Sequence, residues 1–198
     1  MVEPAGDADD EINIDDFSQT ASYVPPAQRS VQHILSIDND DESLRRYKEK
    51  LLEGVSQNRV VVVDAANPLN VIVKKLSVVE GGEIRRSVDL PVFQEFTLTI
   101  KEGCQYKIQF EFYVQREIVT GLKYLHKVGR LGIGVTKESY MLGSYGPRNE
   151  IYVYTSPVEE APSGVFSRGK YRVRSLITDD DKNRWLEWIW HIEITKDW

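Results

Sequence analysis

Hydrophobic residues along this chain follow two different rhythms, and the change between them falls near residue 59. Beyond it the period is two. In the run from Tyr106 to Val114, Tyr106, Ile108, Phe110, Phe112 and Val114 alternate with mostly polar neighbours. Successive strand side chains point to opposite faces, so this pattern predicts a half-buried strand. Leu186, Trp188, Trp190, Ile192 and Ile194 form a second such face, opposite Glu187, His191 and Glu193. Further strands are expected over 71–79, 94–100, 117–128, 151–155 and 171–177. Turn signals separate them at Gly81-Gly82, Lys101-Glu102-Gly103, Gly146-Pro147, Ser163-Gly164 and Asp179-Asp180-Asp181. Many short alternating strands without a long helical pattern predict an antiparallel β-sandwich over residues 59–198.

Residues 29–58 keep a helical rhythm and read as an arm. Ser30 can cap a short helix with Val31, Ile34, Leu35 and Ile37 on its apolar side. After the turn at Asp38-Asn39-Asp40, a second helix carries Leu44, Tyr47 and Leu51 at spacings of three and four. Asp41 with Arg45, and Glu42 with Arg46, stand four apart in the favourable acid-first order. Gly54 is a plausible stop. Both helices are short for independent stability, so they need a surface to lie on: the chain's own domain or a partner.

Charge changes this picture at the N-terminus. The whole chain carries a formal charge of −6, yet residues 1–28 hold seven acidic groups and no Lys or Arg. The 24 acids and 25 bases beyond them nearly cancel. So acidic and sparsely apolar a stretch predicts a tail that is disordered when free. Its charge disfavours nucleic acid and suits a basic partner surface, although a solubilising tail would look the same. The segment MVEPAGDADD has neither the basic nor the apolar region of a secretory signal. One cysteine, Cys104, excludes an internal disulfide and fits a reducing compartment. A cytoplasmic location is therefore expected.

The sequence shows no catalytic or metal-binding constellation. His33, His126 and His191 lie far apart, and Cys104 has no partner at metal-ligand spacing. The glycines of Gly129-Arg130-Leu131-Gly132-Ile133-Gly134 run in the wrong order for a dinucleotide loop, and no clear helix follows. Asp179-Asp180-Asp181 reads more readily as a hairpin turn than as a cation cage. No nucleophile, base and orienting group assemble, so the reading is a binding protein without enzyme activity, metal or cofactor.

Several long segments resemble the Rho GDP-dissociation inhibitor family. They are Asp38 to Lys48 (DNDDESLRRYK), Arg116 to Tyr124 (REIVTGLKY), Tyr140 to Arg148 (YMLGSYGPR), Thr155 to Pro162 (TSPVEEAP), Thr178 to Lys182 (TDDDK) and the final Lys196-Asp197-Trp198. Together they span about Tyr23 to the C-terminus. The resemblance implies an immunoglobulin-like sandwich with a lipid slot between its sheets. It also implies binding of prenylated, GDP-bound Rho-, Rac- or Cdc42-type GTPases, slowed GDP release and extraction from membranes. It assigns Leu52, Val78, Leu98, Tyr106, Ile118, Val173 and Trp190 to the isoprenyl chain, and Ser30, Asp41 and Tyr47 to the GTPase switch regions. Asp181 becomes a further GTPase contact, and Glu159 and Glu160 a patch for the GTPase's basic tail. Three departures stand out. Thr136 replaces a common acid, Leu98 replaces an aromatic residue, and segment 80–93 matches poorly.

Each slot residue could equally be ordinary core, since a sandwich needs such residues in any case. Tyr106 and Trp190 already lie on apolar strand faces, and Leu52 ends the amphipathic helix. Asp41 could act as a helix-terminal acid, a GTPase contact or both. A general prenyl- or acyl-chain carrier of the same shape, without an arm that clamps a GTPase, is the alternative reading.

Overall fold

The computed structural model describes residues 12–17, 41–44, 46, 60–130 and 133–198; the side chains of residues 133–135 are not included. Among the described residues, ten strands run β1 (Val71–Glu80), β2 (Glu83–Asp89), β3 (Thr97–Lys101), β4 (Gln105–Val114), β5 (Val119–Arg130), β6 (Ile133–Tyr145), β7 (Tyr152–Thr155), β8 (Glu159–Glu160), β9 (Gly169–Thr178) and β10 (Arg184–Thr195). They form two sheets. One has the order β2-β1-β4-β7, with β8 also paired to β4; the other has the order β3-β10-β9-β5-β6. Pairing is antiparallel except between β3 and β10, which run parallel. The expected antiparallel sandwich is thus present, with one parallel edge strand.

Period-two alternation builds the core. All five apolar residues from Tyr106 to Val114 are buried, as are Trp188, Trp190, Ile192 and Ile194. Phe110 meets Tyr124 edge to face at 4.7 Å and Trp188 at 6.2 Å, tying the two sheets together. Three strands lie outside the expected set, for one physical reason. The residues of β2 are nearly all exposed, and Leu142 is the one buried hydrophobic residue of β6 among the described side chains. Strand β8 is two residues long. Edge strands bury too little to show a clean apolar alternation.

The hairpin between β9 and β10 is built by its own acids. Asp179 accepts hydrogen bonds from the Asn183 backbone and side-chain nitrogens, each at 2.9 Å, and from Trp185 Nε1 at 3.0 Å. Asp180 bridges to Lys123 at 3.0 Å. Gly121 has φ +60, and a Cβ there would lie 1.9 Å from the Asp180 carboxylate. Only glycine allows this close approach without displacing the turn. Asp181 makes no hydrogen bond or ion pair with any described residue.

Within the stretch read as an acidic tail, Ile14–Phe17 form a short 3-10 helix. Ile12 is 1% exposed and packs with Leu125 and Leu176, while Ile14 and Phe17 lie alongside. These three apolar residues fall close enough in sequence to share one side, an arrangement that overall acidity conceals.

Candidate functional site

A cavity of about 400 Å³ lies between the two sheets. It falls within the roughly 300–1,000 Å³ of ordinary ligand pockets. Strand β4 contributes Tyr106 and Ile108 to its wall, and β9 and β10 contribute Val173 and Trp190. Each is an inward position of its strand, so the same alternation that fills the core also lines the cavity. Trp190 is fully buried. Its indole N–H donates to Ser175 Oγ at 2.9 Å, and the Tyr124 hydroxyl shares that Oγ at 2.8 Å. One inward serine thus satisfies two aromatic groups and fixes their orientation. Phe96 stacks on Trp190 with ring centroids 5.8 Å apart.

Polar groups gather on one side of this apolar space. The Tyr106 hydroxyl donates to Glu159 Oε2 at 2.8 Å. Glu159 Oε1 is buried without a hydrogen-bond partner. Burial raises the Glu159 carboxyl above the usual carboxylate range, while the Tyr106 and Tyr140 hydroxyls oppose that shift. His126 also lines the cavity. It is 4% exposed, and its ring stacks on Tyr124 at 5.0 Å and Tyr140 at 5.8 Å. Its Nδ1 is buried without a partner. Desolvation pushes the imidazole pKa down to about 4, so the ring is neutral at pH 7. Glu138 and Glu160 are exposed at the rim, and Thr136, on β6 with Glu138, is exposed there too.

The residues assigned to the lipid divide into groups. Tyr106, Val173 and Trp190 line the cavity. Val78 and Leu98 are buried in the core cluster but are not part of its wall. Ile118 is half-buried just before β5, also off the wall. Leu52 lies outside the described residues. The acid pair divides as well: Glu159 turns inward to Tyr106, while Glu160 faces solvent. Sequence reasoning missed Ile108, Tyr124, His126, Tyr140, Tyr171 and Ile192 as wall residues. Their signal was their inward phase, which every core residue shares.

In the arm, Asp41 accepts backbone hydrogen bonds from Ser43 at 2.8 Å and Leu44 at 3.1 Å. This is the geometry of a helix N-cap. Arg46 and Glu42 form the expected ion pair at 2.6 Å. Ser30 and Tyr47 lie outside the described residues. Among the described residues, no helix is long and apolar enough to cross a membrane.

A mostly apolar cavity between the sheets, open at a rim that carries acids, describes a binding module of the β-sandwich class. The sequence of the chain matches the family model described as RHO protein GDP dissociation inhibitor over residues 8–197. It is 46% identical to a probable rho GDP-dissociation inhibitor of Caenorhabditis elegans, covering 95% of this chain and 99% of that protein. It is 45% identical to Rho GDP-dissociation inhibitor 1 of Homo sapiens, covering 90% and 88%. For human Rho GDP-dissociation inhibitor 3 the identity is 41%, covering 89% and 78%. The chain belongs to the Rho GDP-dissociation inhibitor family.

Proposed function

We propose that this chain restrains GDP release from Rho-type GTPases and carries their prenyl chain in the cavity between its sheets. It thereby keeps GDP-bound, prenylated GTPases in solution in the cytosol, acting by binding and not by catalysis. The observation that carries this reading is the apolar cavity of about 400 Å³, walled by Tyr106, Val173 and Trp190, in a member of this family.

The energetics explain why a slot alone does not suffice. A geranylgeranyl chain of about twenty carbons gains on the order of 10–15 kcal/mol on leaving water, at about 0.8 kcal/mol per buried CH₂ unit. A bilayer offers a similar gain, so transfer between the two is nearly neutral. Extraction therefore needs protein–protein contacts. Acids at the cavity mouth, Glu138 and Glu160, would replace the attraction of the GTPase's basic tail for anionic lipid, which is about 1 kcal/mol per basic residue. Ser30, Asp41 and Tyr47 would face the switch regions, with Asp41 also holding the start of its helix. Asp181, carried on the braced β9–β10 turn, would add a further acidic contact. Folding of the arm on the GTPase carries an ordering cost.

The direct test is transfer of a prenylated, GDP-loaded Rho GTPase from liposomes into solution, alongside GDP release from the unprenylated form. This account expects the chain to do the first and slow the second. Lipid uptake from prenylated peptides with no effect on GDP release would favour a general carrier.

A further inference from the structure

The outer face of the second sheet carries a feature that the cavity does not use. Leu125 on β5 and Leu176 on β9 are register partners, and both point away from the slot. They are 1% and 0% exposed because Ile12 covers them, with Ile14 and Phe17 beside it. Cations surround this apolar pair. Asp16 Oδ2 lies 3.2 Å from Lys137 Nζ and 3.5 Å from Lys127 Nζ. Asp15 bridges Lys182 Nζ at 2.7 Å, and Arg184 Nη1 donates to the Ile12 carbonyl at 3.1 Å. Lys137 and Lys127 hold the Asp16 carboxyl below the usual range. Two acids meeting three lysines, and three apolar side chains meeting two leucines, make a complementary pair of surfaces.

We propose that the outer face of the second sheet is a docking site for a short acidic–apolar segment, which Ile12–Phe17 fills in cis. This site closes the arm into a loop tethered at both ends. The second anchor is already visible. Gln115 Oε1 accepts from the Val63 and Asp64 amides at 3.0 and 2.9 Å, and the Arg116 amide donates to the Val61 carbonyl at 2.8 Å. The two anchors bracket residues 18–59, which include Asp41. Lys182, which holds Asp15, adjoins Asp181. A chain held at both ends samples less volume than a free tail, so its effective concentration at a partner bound near that turn rises. The tethering consequence rests on the GTPase-binding reading of the arm; the docking site does not.

The experiment uses the full chain and a labelled peptide of residues 8–20, followed by fluorescence anisotropy. Ile12→Asp empties the site, so this variant is expected to bind the peptide at least tenfold more tightly than the unaltered chain, whose site is occupied. Adding Lys127→Glu and Lys137→Glu to Ile12→Asp should abolish binding, and a peptide carrying Asp16→Lys should restore part of it. Equal peptide binding by both chains, or binding indifferent to the two lysines, overturns the docking site. In parallel, Ile12→Asp should weaken affinity for unprenylated, GDP-loaded Rho GTPase by about three- to tenfold. Unchanged GTPase affinity alongside the expected peptide result overturns the tether. If the unaltered chain binds no Rho GTPase while the peptide result stands, the proposed function fails and the docking site survives.

Discussion

The two faces of the second sheet are made by the same strands, yet they do opposite things. Inward positions of β5 and β9, including Tyr124, His126, Val128 and Val173, line a cavity. Outward positions one residue away, Leu125 and Leu176, are covered by a segment of the chain itself. The inner face is shaped by large aromatic groups held by hydrogen bonds, such as Trp190 and Tyr124 on Ser175. The outer face has two leucines framed by lysines, and a six-residue segment is enough to close it. The comparison teaches that burial of one face is intrinsic to the sandwich, while burial of the other is conditional on a tethered peptide. Substitutions on the inner face should therefore cost global stability, and emptying the outer face should cost only the free energy of docking.

Trp190→Ala tests the inner face most severely. It removes a fully buried side chain and leaves Ser175 without one donor. A loss of about 3–5 kcal/mol is expected in denaturant unfolding. A loss below about 1 kcal/mol would mean that this wall is not part of the folded core.

His126 makes the same contrast readable by pH. Its pKa is about 4 in the folded protein and about 6.5 when unfolded. The unfolded chain binds the proton first, so stability is complete above about pH 6.5 and is lost as pH falls toward 4. Between pH 7 and 4.5 the loss from this one group should be about 2–3 kcal/mol. His126→Gln should remove that part of the pH dependence. Identical pH slopes in the two proteins would show that the ring is not desolvated.

Asp41→Ala acts outside the sandwich. Removing the cap should destabilise its helix by about 1 kcal/mol and weaken GTPase binding several-fold, while the denaturation midpoint of the sandwich stays fixed. Unchanged slowing of GDP release would exclude a role for Asp41. Among the buried side chains, the smallest effect belongs to the outer face. Ile12→Asp should lower sandwich stability by only about 1.5 kcal/mol, the docking free energy that a roughly tenfold-occupied site contributes. A loss of several kcal/mol would show that residues 12–17 belong to the core.

Much of this architecture is legible in the alternation of single strands. Tyr106 to Val114 and Trp188 to Ile194 announce their buried faces. What alternation does not distinguish is a wall from a core: Val78 and Val173 are both inward and fully buried, yet only Val173 borders the cavity. Cavity walls depend on how far apart facing side chains end, which is a property of the assembled sheets. Edge strands β2 and β6 escape notice because solvent leaves their composition unconstrained. The outer docking face left one trace, Leu125 and Leu176 standing out of phase beside Tyr124 and Ile177. Family resemblance implies what periodicity could not, namely the proposed GTPase-facing roles of the arm and of the acids near Glu159.

The central claim is that the space between the sheets holds the prenyl chain. Val128→Trp tests it most directly, because Val128 is a half-buried wall residue and an indole there would occupy the cavity. The measurement is liposome extraction of a prenylated, GDP-loaded Rho GTPase, with affinity for the unprenylated GTPase recorded in parallel. The account predicts at least a tenfold loss of extraction with the unprenylated affinity unchanged. Full extraction by a folded Val128→Trp protein would contradict it.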